Sequence, residues 1–237
     1  SVLIDQNTDK LGAGDAGQIP TMLVNHPVPD RTKFLLGTER TNPGGVMANI
    51  IAAEEAAIRL LNPNAEIFAG VPCNTFHAPP IWEPFIEQVE KATPSVRVVH
   101  MLEETVQQIK QIFPKATTIG LLSTTGTRQV RVYHDLLQQH GLSVVEVPEE
   151  KQDGLHETIY HPEWGIKAAS PVSGQALARM KKYTEMIRDQ GADMVIEGCT
   201  ELPLARAKIE GITHINPMEA LARALVRYAA PEKLKNA

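Results

Sequence analysis

Short apolar runs alternate with amphipathic helical stretches along this chain, and that alternation restricts the fold more than any other feature. Runs at residues 66–71, 96–99, 118–122, 144–147, 193–197 and 212–215 read as strands. A further run at residues 19–25 is closed by His26-Pro27 and reads the same way. After Pro43-Gly44-Gly45 the apolar residues Met47, Ile50, Ile51, Ile58 and Leu61 fall on one helical face, which Asn62-Pro63-Asn64 ends. Helices are also expected over residues 81–92, 103–113, 128–140, 175–190 and 218–228, with Gly141 and Gly191 as stop signals. Strands that alternate with helices imply parallel sheets covered on both faces.

The expected fold is therefore α/β, either as one large domain or as two similar lobes, each a parallel sheet flanked by helices, that pack closely and share an active site in the cleft between them. The 237 residues suffice for two lobes of about 100 residues each. The first is expected to take residues 1–99 plus 211–237 and the second residues 100–210. Residues 149–171 are the least regular stretch, carry His156, His161 and Trp164, and read as a lid or binding loop.

Charge excludes some functions. With 23 basic and 28 acidic residues the net charge is −5, without the basic excess that a nucleic-acid partner needs. Arg179, Lys181 and Lys182 read as a solvated helix face. No apolar run approaches the ~18 residues that cross a membrane. The opening Ser1-Val2-Leu3-Ile4 lacks a basic start and an initiating Met, so the natural N-terminus is expected upstream.

Only two cysteines are present, too few for a disulfide scaffold, which fits a reducing cytoplasm. Both sit where apolar runs end. One segment reads Ala65-Glu66-Ile67-Phe68-Ala69-Gly70-Val71-Pro72-Cys73-Asn74-Thr75. The other reads Ala192-Asp193-Met194-Val195-Ile196-Glu197-Gly198-Cys199-Thr200. Ligands of parallel sheets bind beyond the carboxyl ends of the strands. A pseudo-symmetric pair of lobes would aim both thiols into one cleft, and backbone N–H groups at each loop start would lower the thiol pKa. A lone cysteine is more often a small buried hydrophobe. Two at matching strand ends favour chemistry.

Three other uses of the pair fit less well. Cys73-x3-His77 offers a metal only two ligands, where structural zinc takes four. The Cys-x-x-Cys redox spacing is absent. A hydrolase built on Cys73 and His77 leaves Cys199 without a role. Paired acid/base chemistry uses both thiols, with one removing a proton and the other returning it on the opposite face.

The segments Cys73-Asn74-Thr75-x-His77 and Gly198-Cys199-Thr200-Glu201 resemble the two signatures of the aspartate racemases, within the aspartate/glutamate racemase superfamily. Pro29-Asp30-Arg31-Thr32, Leu121-Leu122-Ser123-Thr124-Thr125-Gly126-Thr127 and Lys167 are similar to further landmarks. The resemblance implies the two-lobed form of the fold, with the site between the lobes. It implies a pyridoxal-phosphate-independent, metal-free enzyme that interconverts L- and D-aspartate, or glutamate, usually as a homodimer. It implies that Cys73 and Cys199 are the acid/base pair, and that Arg31 and Lys167 bind the dicarboxylate. Asn74, Thr75, Thr125 and Thr200 are candidate donors to its carboxylates, with local turn bonding or helix capping as their plainer roles. His77 and His156 are weaker candidates. A hydantoin racemase, a maleate isomerase and a non-catalytic dicarboxylate-binding protein are the alternatives. The glycine-rich loop that opens the family's chains has no match here, and Gly12-Ala13-Gly14-Asp15 does not replace it. That loop is expected upstream or lost. Phe76 also departs from the smaller residue usual between Thr and His, and would narrow the pocket.

Overall fold

A computed structural model describes residues 2–9 and 18–235 and resolves the alternation into a chain of α/β elements. In order these are α1 (Val2–Asn7), α2 (Arg31–Leu35), α3 (Pro43–Leu61), β1 (Ile67–Gly70), α4 (Pro79–Ala92), β2 (Val96–Val99) and α5 (Met101–Ile112). There follow β3 (Thr118–Ser123), α6 (Thr125–Gln129), α7 (His134–Gln139), β4 (Ser143–Glu146) and α8 (Glu149–Tyr160). The last are α9 (Gly174–Asp189), β5 (Met194–Gly198), β6 (Thr213–Ile215) and α10 (Pro217–Ala229). All strand pairs are parallel, in a two-stranded sheet β1-β2 and a four-stranded sheet β4-β3-β5-β6. The α/β expectation holds. Gly12-Ala13-Gly14-Asp15 lies outside the described residues.

The chain divides into two units. Unit 1 comprises Ser1–Pro72, Phe76–Glu104 and Met218–Ala237. Unit 2 comprises Cys73–Thr75 and Thr105–Pro217. In unit 1 the Asn42 side chain accepts from the Gly44 N–H at 2.8 Å and caps α3, with Pro43 preset for the first turn. In unit 2 the central strands β3 and β5 are almost wholly buried, as parallel strands with helices on both faces must be. Leu122, Leu155, Ile159, Met180, Ile187 and Val195 are among the residues of its core. α9 stops at Gly191, whose φ of 88° is left-handed backbone that costs glycine little.

Three expectations fail. Residues 19–25 form no strand. Pro20 removes a ladder donor within the run, and no neighbouring strand buries it, so Met22, Leu23 and Val24 stay exposed. Residues 149–171 are not one irregular loop, because α8 fills their first half. Glu149 and Glu150 suit its N-terminus, while Gln152, Leu155, Thr158 and Ile159 form its buried face. Two of those four are polar, which hid the periodicity. The helix expected over 128–140 is two short ones, separated by a turn in which Arg131 takes a φ of 52°.

Candidate active site

Cys199 immediately follows β5, the strand that runs between β3 and β6. Gly198 lets the strand end there, since a Cβ would lie 2.9 Å from Leu121 Cδ1 and 3.0 Å from the Leu122 carbonyl. Cys199 is 8% exposed and belongs to the unit 2 core, yet its thiol is not merely a hydrophobe. Sγ–H donates to Glu201 Oε2 at 3.0 Å, the Thr200 hydroxyl donates to the same oxygen at 2.8 Å, and Lys167 Nζ holds Oε1 at 2.5 Å. One carboxylate therefore gathers three residues that the sequence singles out.

The electrostatics of Cys199 reverse the expected lowering. Burial first, and then the charge and hydrogen bond of Glu201, push its pKa up to about 12 against the pull of a Glu201 backbone hydrogen bond and the Lys167 charge. Burial opposes ionisation of Glu201 too, but its hydrogen bonds to Lys167, Cys199 and Thr200 hold it below the usual glutamate value. Burial likewise opposes the Lys167 charge, which Glu201 and the nearby Cys199 and Tyr160 outweigh, so its pKa is raised. Lys167 Nζ also lies over the Tyr160 ring, 5.0 Å from its centroid. A cavity of about 660 Å³ opens beside Lys167 and Glu201, lined further by Ala168, Ala169, Pro171 and Leu204.

Cys73 ends the β1 segment, and the Asn74–His77 turn follows it. Neither cysteine is in a disulfide. Asn74 is buried, and its Oδ1 accepts from the wholly buried Tyr133 hydroxyl at 2.5 Å. Burial pushes the Tyr133 pKa well up, which keeps that hydroxyl a donor. Thr75 Oγ1 pairs with Thr127 Oγ1 at 3.1 Å, and Thr127 Oγ1 pairs in turn with Thr124 Oγ1 at 3.1 Å.

The N-terminus of α6 serves its own capping. The Thr127 N–H donates to Thr124 Oγ1 at 3.3 Å, and the Thr125 N–H to His156 Nδ1 at 3.3 Å. His156 stacks on Tyr160 at 4.8 Å, and burial lowers its pKa despite Asp153. The Thr125 hydroxyl oxygen is buried without a hydrogen-bond partner, so it is the member of this turn with a donor to offer.

The remaining candidates lie in unit 1. Arg31 is half-buried at the start of α2, which Asp30 caps through the Lys33 N–H at 3.0 Å. His77 Nε2 accepts from the Met101 N–H at 3.2 Å while its ring stacks on Trp82 at 4.6 Å. Phe76 is 1% exposed and packs edge-on against Phe85 at 5.1 Å, so it builds the core of unit 1. Among the described residues no cluster of three or more His, Cys, Asp or Glu side chains is placed to hold a metal ion.

Sequence reasoning missed Glu201 as a site residue, along with Tyr160 and Tyr133. Glu201 had a signal, a carboxylate two residues after a strand-end cysteine. The two tyrosines had none, because their contacts come from distant elements.

The family model for Asp/Glu/hydantoin racemase matches residues 7–225. The broad specificity amino-acid racemase RacX of Bacillus subtilis is 27% identical over 173 residues, which are 73% of this chain and 68% of that protein. Picrophilus torridus aspartate racemase superposes with a TM-score of 0.72 at 23% identity, covering 98% of this chain and 87% of that one. An aspartate racemase homologue from Pyrococcus horikoshii superposes at 0.60 with 20% identity, over 97% of this chain and 93% of the other. Those two structures share the fold. Among the described residues no helix is long and apolar enough to cross a membrane.

Proposed function

We propose, on the premise that this chain belongs to the Asp/Glu/hydantoin racemase family, that it inverts the α-carbon of aspartate, or in its place glutamate, through Cys73 and Cys199. The observation that supports this most directly is that Cys73–Thr75 groups with the unit that carries Cys199, Thr125 and Lys167. The Cys73 thiolate takes the α-proton, forming S–H as the C–H bond breaks. The electron pair is held as a carbanion beside the α-carboxylate. The Cys199 thiol then delivers its proton to the opposite face, leaving a thiolate, and the reverse reaction exchanges the roles.

No cofactor enters this scheme. Lys167 and Arg31 are the cations that meet the substrate carboxylates, and Arg31 can grip one bidentately. Asn74, Thr75, Thr125 and Thr200 are the polar side chains assigned to orient them. The unpartnered Thr125 hydroxyl supports its part in this. A homodimer in a reducing cytoplasm, where both thiols persist, completes the reading.

Proton NMR of L-aspartate with the protein in deuterated water, without added cofactor, tests it. Loss of the α-proton signal with formation of D-aspartate is expected, abolished by Cys73→Ser and by Cys199→Ser. Exchange that survives either substitution overturns the two-thiol scheme. Ligand-dependent stabilisation by aspartate without any exchange points instead to a binding protein.

A further inference from the structure

Glu201 carries three contacts and has no role in the scheme above. Oε2 accepts from the Cys199 thiol at 3.0 Å and from the Thr200 hydroxyl at 2.8 Å, while Lys167 anchors Oε1 at 2.5 Å. The carboxylate is thus fixed at both oxygens, and one faces a thiol that has left water. An ionised carboxylate only accepts hydrogen bonds. With Lys167 and Thr200 donating to it, the arrangement is complete only while Cys199 keeps its proton. A thiolate at that distance would face a like charge in a poorly hydrated place.

The other ionisable groups near Cys199 do not replace this one. Glu197, on β5, is held by Arg206 and His214 at 2.6 and 3.0 Å. Lys167 favours a thiolate but is committed to Glu201. Tyr160 and His156, on α8, stack on each other, with Lys167 over the tyrosine ring.

We propose that Glu201 is a positioning residue that holds Cys199 as the protonated member of the cysteine pair in the resting enzyme. It aims the thiol and sets which cysteine begins as the acid. The enantiomer turned over first by the resting enzyme is then the one whose α-hydrogen faces Cys73. After Cys199 has given its proton, Glu201 makes its thiolate a stronger base, which favours the return transfer. This inference rests on the two-cysteine reading for its catalytic meaning but not for its measurement.

The test uses the Cys73→Ser protein, in which Cys199 is the sole thiol. Its thiolate is followed by ultraviolet absorbance against pH and by the rate of alkylation with iodoacetamide, with and without Glu201→Gln. The amide keeps an acceptor oxygen but removes the charge. The expected result is a lower titration midpoint and alkylation about tenfold faster near ~pH 8 in the glutamine variant, the effect of one pH unit on thiolate fraction. Coincident curves overturn the proposal. If the glutamine variant does not fold, the S–H stretching band of the Cys73→Ser protein decides. A band moved to low frequency by a carboxylate acceptor supports the proposal, and one at the position of an unbonded thiol overturns it. None of these readouts needs turnover. A shifted titration in a protein that exchanges no α-proton would defeat the racemase reading alone, and racemisation with an unshifted titration would defeat only the role of Glu201.

Discussion

Cys199 Sγ lies 3.0 Å from Glu201 Oε2, so the thiol at the end of β5 has a carboxylate as its acceptor. Burial, and after it that contact, pushes the Cys199 pKa up to about 12. The folded protein is therefore expected to resist alkylation of Cys199 at neutral pH and to lose that resistance on unfolding. Peptide mapping after brief iodoacetamide treatment, with and without denaturant, checks this. Rapid labelling of Cys199 in the folded protein would contradict it.

The Lys167 charge acts on this thiol, and the lysine is already paired with Glu201. Replacing it by Met leaves Glu201 half-buried with only hydroxyl and thiol donors. The Lys167 side chain is 34% exposed, so the stability loss should be under about 1 kcal/mol. The catalytic loss should be larger. On the proposed role of Lys167 as a carboxylate-binding cation, losing a contact made to substrate and transition state alike predicts a fall in kcat/KM on the order of 100-fold, carried mainly by KM. Steady-state kinetics on L- and D-aspartate measure it.

Glu197 contributes to the acid dependence of unit 2. Its side chain is 2% exposed, and although burial opposes its charge, Arg206 and His214 hold its pKa below the ordinary value. The folded pKa lies below the unfolded one of about 4.3. The stability it contributes is therefore complete above that unfolded value and is lost as pH falls through the lower folded one. Glu197→Gln should flatten the acid limb of a urea-denaturation series. Arg206→Ala, which leaves the buried carboxylate with His214 as its remaining partner, should lower stability at neutral pH by about 1–3 kcal/mol.

Tyr133→Phe removes the hydroxyl that donates to Asn74 at 2.5 Å and leaves a buried amide oxygen unpaired. A loss of about 1–3 kcal/mol is expected in chemical denaturation. Because Asn74 adjoins Cys73, kcat should also fall, whereas a purely structural role for the bond would leave kcat intact in the folded fraction.

Gly120→Ala should overpack the unit 2 core, because its Cβ would fall 2.1 Å from Ile187 Cγ2 and 3.1 Å from the Met194 carbonyl. A cost of about 1–3 kcal/mol is expected, read as a lowered Tm.

The sequence by itself determined the elements whose burial follows from local pattern. The apolar runs of β3 and β5 had to lie between helices, and Gly191 had to end α9, because period and backbone freedom are properties of a few neighbouring residues. It also placed both cysteines and their threonines at strand ends. Tertiary structure decided what local pattern leaves open. The run at residues 19–25 has a strand's composition but no neighbour to bury it, and α8 is a helix because packing on the core outweighs its polar sequence. The protonation of Cys199 was likewise outside the sequence's reach. A strand-end position predicts a lowered thiol pKa, but burial and a carboxylate held in place by Lys167, from a different part of the chain, raise it. Charge and solvent act through space, and only the fold sets those distances.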